Sequence, residues 1–354
     1  MRNVPTLLVD LERLKVPHCG LGEFSLRLGE ELSRQESDLW RPVYLVPSGH
    51  EGRFGSWVGY EVASPRRRFL PRLSPRHDAW HATHQESHYD PGDPRTRYIL
   101  TIHDLNFLDE KTPAKAGRRL RALQSRVDRA SALTFVSGHA RDHARRHLAL
   151  PNVPQEVIHN GAPDVRTRGP RPRWAPAGPF LLALGLVRPR KNFHVLLEMI
   201  SRLKDLKLVI AGNTDHPYAG EIRERARRAG LVNRVLLAGE VDAQEKAWLL
   251  ENCQALLFPS TLEGFGLPVV EAMSYGRPVF CSDLASLPEV GGAEAYYWRS
   301  FDPDHMLEVF RSGMKDFEED PAKRERLIHR AQTFSWSQAA SKYRDLYLKV
   351  LGIS

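Results

Sequence analysis

The fold of this chain is decided by one stretch, Phe258-Pro259-Ser260-Thr261-Leu262-Glu263-Gly264-Phe265-Gly266-Leu267-Pro268-Val269-Val270-Glu271. The apolar run 255–258 predicts a buried strand, which Pro259 closes. The two glycines that follow predict a tight turn where backbone can approach a ligand closely. Pro268 suits the first position of a helix, so the turn leads into free amides that can seat a phosphate.

Two carboxylates flank that seat, Glu263 before it and Glu271 inside the helix. A phosphate that carries a sugar on one side and a ribose on the other would give each carboxylate a hydroxyl partner. The spacing alone is equally compatible with a strand–turn–helix that carries two solvated glutamates.

Length and composition predict a globular protein of two domains. The chain has 354 residues, of which 42% are hydrophobic and 27% charged, as in ordinary soluble domains. No apolar run reaches the roughly 18 residues of a membrane span, and the N-terminus predicts a first strand instead of a signal peptide. Cys19, Cys253 and Cys281 are far apart, so we expect reduced packing residues and a cytoplasmic location.

The charge distribution favours an acidic partner. The net charge is +8, and residues 61–150 hold 17 Lys or Arg against 10 Asp or Glu. Residues 64–73 mix arginine with apolar side chains, and residues 111–129 form a basic helical pattern. Such segments can bind an anionic membrane surface, but a solvated basic face has the same pattern. A nucleic-acid-binding protein is a weaker alternative, because no nucleic-acid module is recognisable.

Strand-like and helix-like segments alternate along the chain, which predicts the α/β class with two Rossmann-like domains and parallel sheets. The predicted parts are residues 1–165, a linker at 166–178 rich in proline and arginine, residues 179–333, and a C-terminal helix at 334–354. Ligands of such sheets bind at the carboxyl ends of the strands, so we expect a cleft between the domains.

The opening stretch resembles the Glu-x7-Glu signature of retaining family 4 glycosyltransferases, and residues 272–279 and 282–292 extend the likeness. The resemblance implies the GT-B fold, with the C-terminal helix crossing back to the first domain. It implies transfer of a hexose from a nucleotide-diphosphate sugar with retention at the anomeric carbon, and neither a metal nor another cofactor. In this scheme Glu271 holds the ribose and Glu263 the sugar hydroxyls. Amides of Phe265, Gly266 and Leu267 hold the diphosphate.

A second cluster, residues 185–192, follows the strand predicted at 180–184. Its two cations, Arg190 and Lys191, suit an anion at the strand end, where they would stabilise charge on a departing phosphate. The cluster resembles the family's Arg-Lys-Asn turn, which binds the donor diphosphate. A basic surface turn is the alternative. Farther on, Val241 lies where the family places backbone contacts to the nucleotide base.

Two further motifs belong to the first predicted domain. Residues 18–24 resemble the family's Gly-x-Gly loop, in which Gly20 and Gly22 allow close backbone approach to the donor phosphate. Residues 101–105 resemble its His-Asp turn, which makes His103 the contact to the transferred sugar. A plain strand–helix turn and a polar strand cap are the respective alternatives.

The expected enzyme is a metal-independent hexosyltransferase. The Phe-Gly-Leu-Pro version of the signature is similar to mannosyl- and rhamnosyl-type members that build O-antigen or capsule, which favours a donor like GDP-mannose. The expected acceptor is a glycan or lipid-linked glycan, such as a lipopolysaccharide precursor, reached from the inner face of the plasma membrane. A catalytically silent nucleotide-sugar-binding protein of the same fold is the main alternative.

Overall fold

The computed structural model describes residues 4–16, 19–163 and 169–353. They form two compact units, Met1–Gly161 with Ser335–Ser354, and Ala162–Phe334. Each unit is built on one sheet whose strands all pair in parallel. The predicted α/β class with two parallel sheets is confirmed.

The first unit contains a seven-stranded sheet in the order β3-β2-β1-β4-β5-β6-β7. Its central strands are largely apolar and buried, as in parallel sheets that helices cover on both faces; Leu7, Leu8 and Val9 of the first strand are fully buried. The strands are β1 Thr6–Asp10, β2 Arg41–Val46, β3 Gly59–Val62, β4 Ala79–Ala82, β5 Arg97–Ile102, β6 Ala132–Phe135 and β7 Gln155–Val157.

The helices of this unit between β1 and β7 include two with side-chain caps that the sequence supplies. Ser64 and Ser137 each accept a hydrogen bond from the backbone amide three residues on, which satisfies one open donor of the first turn. The helices are α1 Gly20–Ser33, α2 Pro65–Phe69, α3 Phe107–Glu110, α4 Pro113–Asp128 and α5 Gly138–His147.

The second unit contains a six-stranded sheet in the order β10-β9-β8-β11-β12-β13. The strands are β8 Phe180–Leu184, β9 Lys207–Ala211, β10 Val235–Gly239, β11 Leu256–Phe258, β12 Val279–Ser282 and β13 Tyr296–Trp298. The helices are α6 Leu196–Arg202, α7 Pro217–Arg228, α8 Ala243–Asn252, α9 Leu267–Ser274, α10 Leu287–Gly291, α11 Pro303–Glu319 and α12 Lys323–Gln332. Since β8 and β11 are neighbours, the loops after them start side by side.

The last helix, α13 Trp336–Leu351, is part of the first unit. Tyr343 and Tyr347 are fully buried, and the hydroxyl of Tyr347 lies 2.7 Å from Nδ1 of His81 on β4. Tyr343, Leu346 and Tyr347 lie on the buried face of this helix.

The described part of the proline- and arginine-rich segment packs on the second unit, and the two compact units divide between residues 161 and 162. Trp174 donates a 2.8 Å hydrogen bond from Nε1 to Glu245 of α8, and the Arg171 guanidinium lies 6.0 Å from the ring centre of Trp248. Residues 166–168 of the predicted linker lie outside the described residues, as does His18.

Within the part of the chain that the structure describes, no helix combines the length and the apolar character that a membrane crossing requires.

Candidate active site

The predicted site residues of the second unit come from loops at the carboxyl ends of neighbouring strands. Arg190 and Lys191 lie in a short 3-10 turn after β8, and Glu263 lies in the loop between β11 and α9. Two hydrogen bonds join the loops: the Thr261 amide donates to the Arg190 carbonyl at 2.8 Å, and the Arg190 guanidinium donates to the Leu262 carbonyl at 3.2 Å. The structure therefore brings these three predicted residues together.

Glu263 accepts hydrogen bonds from two buried side chains. Its Oε1 lies 2.5 Å from Nζ of Lys191 and 2.6 Å from Oγ of Ser260, and 3.9 Å from Nη1 of Arg190. The Lys191 ammonium also lies 4.6 Å from the ring centre of Phe258, a cation–π distance. The carboxylate is thus fixed in position by a cation, a hydroxyl and the packing of the lysine.

The charge state of Glu263 follows from these neighbours. Burial alone raises the pKa of a carboxyl group, but the charges of Lys191 and Arg190 outweigh it and hold the pKa of Glu263 below its ordinary value. Glu263 is 9% exposed. The alternative of a solvated glutamate does not hold at this position, because Lys191 and Ser260 enclose the carboxylate.

The first turn of α9 follows directly. The helix begins at Leu267, so Pro268 occupies the second helical position instead of the predicted first. Gly266 has φ +103°, a backbone angle that favours glycine, and a Cβ there would also lie 2.7 Å from a terminal methyl of Leu287. The Phe265 carbonyl accepts from Ser286 at 2.8 Å. The turn predicted to bind a phosphate therefore lies directly before the N-terminus of α9.

Glu271 lies in the middle of α9 and is 6% exposed. Its Oε1 accepts a 2.6 Å hydrogen bond from Nζ of Lys246 on α8. Val241 is half-buried and precedes Asp242, the cap of α8. Glu271 and Val241 therefore both adjoin α8: Glu271 bonds to Lys246 on this helix, and Val241 precedes the residue that caps it. Lys246 was absent from the sequence prediction, since nothing in its own surroundings distinguishes it from other helix-surface lysines.

Two glycines that the sequence analysis did not single out lie in contact at the carboxyl ends of β8 and β9. Gly212 follows β9 with φ +146°, and a Cβ on it would lie 2.0 Å from the carbonyl oxygen of Gly185, which follows β8. The two backbones therefore touch where a side chain would separate them. A glycine directly after each of two predicted strands is the signal that could have revealed this.

In the first unit, His103 follows β5 and is 6% exposed. Its Nε2 donates to the Thr83 carbonyl at 2.8 Å, so Nδ1 carries the lone pair. Burial, with a smaller contribution from the charge of Arg13, lowers the pKa of His103 to about 4, although the bond to Thr83 opposes this. The ring is therefore neutral at pH 7. Phe24 of α1 lies edge-on to it at 4.7 Å.

Gly20 and Gly22 form the first turn of α1, whose preceding residue is Cys19. The Cys19 sulfur accepts from the Gly22 amide at 3.4 Å. Because Phe24 is on the same helix, the start of α1 and His103 lie close together. What these glycines bind stays a prediction.

Further buried polar groups at the carboxyl ends of this sheet were missed. The Asp10 carboxyl group ends β1 and is 1% exposed, and burial raises its pKa to about 6 despite a hydrogen bond from Ser87. Gln85 accepts from the His103 amide at 3.0 Å, and the ring of His84 lies 5.6 Å from that of His103. A charged residue that ends an apolar strand was the available signal for Asp10.

Comparison with known proteins identifies a family over the second half of the chain. Residues 170–334 match the family described as glycosyl transferases group 1. The O-antigen chain mannosyltransferase B of Escherichia coli is 27% identical over 96% of this chain and 99% of its own length.

Two solved structures share the fold. Sucrose-phosphate synthase from Thermosynechococcus elongatus has a TM-score of 0.76 at 17% identity, covering 99% of this chain and 100% of that one. HepE from Anabaena in complex with UDP and glucose has a TM-score of 0.71 at 16% identity, covering 98% and 99%. The chain therefore carries a group 1 glycosyl transferase domain over residues 170–334, and its two Rossmann-like units have the fold of GT-B glycosyltransferases.

Proposed function

We propose that this glycosyltransferase moves mannose from GDP-mannose to a glycan or lipid-linked glycan of lipopolysaccharide, O-antigen or capsule, with retention and without a metal. The observation that carries the proposal is the buried cluster of Glu263, Lys191 and Arg190 beside the first turn of α9. The mannosyl preference is supported by the relative from Escherichia coli, which spans nearly the whole chain, and by the Phe-Gly-Leu-Pro version of the signature.

Each residue has a role that its surroundings favour. Glu263 is ionised and accepts hydrogen bonds from hydroxyls of the transferred sugar. Arg190 and Lys191 bring two positive charges to the diphosphate, which the amides of Gly266 and Leu267 also bind. In the transfer step the bond from the anomeric carbon to the β-phosphate oxygen breaks. The acceptor hydroxyl oxygen bonds that carbon on the same face, and its proton passes to the departing phosphate.

Three further residues complete the scheme. Glu271 accepts from the ribose hydroxyls, and the backbone at Val241 contacts the base. His103 offers Nδ1 to a sugar hydroxyl, a role that its neutral state supports, because a protonated ring has no acceptor.

The test begins with calorimetric titration of the full chain with GDP, UDP, dTDP and ADP, without added metal. We expect selective binding of GDP. Radiolabelled GDP-mannose is then supplied with a lipid-linked glycan acceptor, and proton NMR of the product reports the anomeric configuration. An inverted product would contradict retention. Nucleotide binding without transfer to any acceptor would favour the catalytically silent alternative.

A further inference from the structure

The loop of Glu263 has a second neighbouring loop, which the proposed function does not use. In the sheet of the second unit, β11 lies between β8 and β12, so the loop after β11 has one neighbour on each side. The loop after β8 carries Arg190 and Lys191. The segment 282–286, at the end of β12 and before α10, contributes serine hydroxyls instead of charge.

The hydroxyl of Ser286 contacts two backbone carbonyls of the Glu263 loop. Ser286 is fully buried. Its Oγ lies 2.8 Å from the carbonyl oxygen of Phe265 and 3.1 Å from that of Glu263. A hydroxyl has one proton to donate, so the two carbonyls share it. A single side chain therefore orients two peptide groups of this loop.

The direction of each carbonyl fixes the direction of the amide in the same peptide group. A trans peptide is planar, and its C=O and N–H point in opposite directions; none of the described peptide bonds is cis. Because the carbonyls of Glu263 and Phe265 point toward Ser286, the N–H groups of Gly264 and Gly266 point away from it. The Gly266 amide is one of the two that we assign to the donor diphosphate, so Ser286 sets its direction from behind.

The backbone that presents Ser286 is strained. Ala285 has φ +56°, a left-handed conformation that is disfavoured for a residue with a Cβ. Among the described residues, one other non-glycine residue has a positive φ, Asn192, which ends the turn of Arg190 and Lys191. Strain of this kind persists only where the surrounding structure imposes it, and it clusters at functional sites. Here it occurs in both loops that contact the loop of Glu263.

A second serine of the same segment supports the Glu263 loop closer to β11. Ser282 is fully buried, and its hydroxyl donates to the Ser260 carbonyl at 2.5 Å. Ser260 in turn donates to the Glu263 carboxylate at 2.6 Å. The segment 282–286 therefore supports the carboxylate through Ser260 and the backbone of the turn through Ser286.

We propose that Ser286 is a positioning residue for the donor diphosphate, which turns the Gly266 amide toward the phosphate oxygens while Arg190 and Lys191 supply positive charge. This inference rests on the proposed function, because it assigns a further residue to the same site. A donor that is already oriented before the ligand arrives costs little reorganisation on binding. The hydroxyl of Ser286 therefore contributes affinity for the phosphates without touching them.

The experiment compares the affinity of the full chain for GDP with its affinity for guanosine, which lacks both phosphates. GDP is titrated by calorimetry, and guanosine is measured by its displacement of GDP. The main variant is Ser286→Ala. Ser274→Ala is the matched control, because Ser274 is 8% exposed and its hydroxyl also donates to a backbone carbonyl, that of Val270 at 2.8 Å, but at the far end of α9.

We expect Ser286→Ala to weaken GDP binding about 5- to 10-fold, roughly the loss of one hydrogen bond, and to leave guanosine binding unchanged. Ser274→Ala should lower the unfolding midpoint of the second unit by a similar amount and leave both affinities unchanged. A merely structural role of Ser286 would change the midpoint without changing the ratio of the two affinities. Ser286→Cys fills the same space with a weaker donor, so it should show the same loss to a smaller extent, and it provides the test should Ser286→Ala fail to fold.

The outcomes separate this inference from the proposed function. An unchanged GDP affinity in Ser286→Ala, or equal losses for GDP and guanosine, overturns the role of Ser286 and leaves the proposed function standing. If the natural chain binds UDP in place of GDP, the preference for GDP-mannose is wrong, and UDP and uridine test Ser286 by the same criterion. If the natural chain binds no nucleoside diphosphate, the proposed function and the role of Ser286 are both refuted.

Discussion

Replacing Glu263 with glutamine tests the central ion pair of the candidate site. Glutamine keeps the volume and one acceptor oxygen but removes the charge that balances Lys191, and the two side chains are only 10% and 7% exposed. Removing one partner of a buried ion pair costs about 3–5 kcal/mol, and a hydrogen bond to a charged group is worth about 1.5–3 kcal/mol. Since glutamine retains an acceptor, we expect the free energy of unfolding of the second unit to fall by about 2–3 kcal/mol.

Native-state hydrogen exchange is the appropriate assay, because it reads the opening of the second unit separately from the first. The loss corresponds to exchange about 30- to 150-fold faster in the amides of β8 and β11. The double variant Glu263→Gln with Lys191→Met should recover most of the loss, since removing both charges of a buried pair is close to neutral. Unchanged exchange in Glu263→Gln, or no recovery in the double variant, would refute the reasoning.

The stability that the Glu263–Lys191 ion pair contributes should depend on pH. The pKa of Glu263 is lower in the folded chain than its ordinary value of 4.5. Its stabilisation is therefore present above about pH 4.5 and is lost as the pH falls through the lower, folded-state pKa. Exchange in β8 and β11 should accelerate in that acid range in the natural chain and less so in Glu263→Gln. At neutral pH the same variant should transfer sugar about 10- to 100-fold more slowly.

Three further predictions concern other parts of the two units. Between pH 6.5 and about 4, His103 is protonated in the unfolded chain but neutral in the folded chain. The first unit therefore loses stability as the pH falls through this range. His103→Gln should reduce that loss in acid titrations followed by circular dichroism. Glu271→Gln should weaken nucleoside diphosphate binding about 10-fold in calorimetry. An unchanged affinity would contradict the proposed contact between Glu271 and the ribose. Lys246→Met is the control, because it removes the partner of Glu271 and leaves the Glu271 carboxylate in place. Gly212→Ala should lower the unfolding midpoint of the second unit, because the new Cβ would lie 2.0 Å from a backbone oxygen. Gly230→Ala is the control, since Gly230 also has a positive φ, +70°, but no atom lies within 4 Å of its Cβ position. Equal effects of the two variants would argue against the close approach at Gly212.

The parts of the fold that the sequence predicted are those with short-range signals. The apolar runs of β1 and β8 each identify a strand from a few neighbouring residues. The short strands β3 and β13 were missed, because Gly59–Val62 and Tyr296–Trp298 are largely half-buried and lack a continuous apolar run.

The candidate site was predictable in its residues but not in its pairings. Motifs in the chain identified Lys191, Glu263 and Glu271, each close to a glycine or proline turn. Their partners depend on packing between distant elements: Lys191 and Glu263 are 72 positions apart, and Lys246 and Glu271 are 25 apart. The burial of Glu263 was unpredictable for the same reason, because it depends on contacts with Lys191 and Arg190 of another loop.

The position of α13 affects the order in which the chain can fold during synthesis. Residues of the second unit are consecutive, so that unit has all its parts once residue 334 has left the ribosome. The first unit lacks a layer of its core until residues 335–351 follow, because the rings of Tyr343 and Tyr347 cover the polar groups of His81 and Thr101. In experiments that arrest the nascent chain, the second unit should therefore fold before the first. This is the reverse of the usual order, in which N-terminal domains fold first during synthesis. In the interval, the uncovered sheet of the first unit is the surface that a ribosome-associated chaperone would meet.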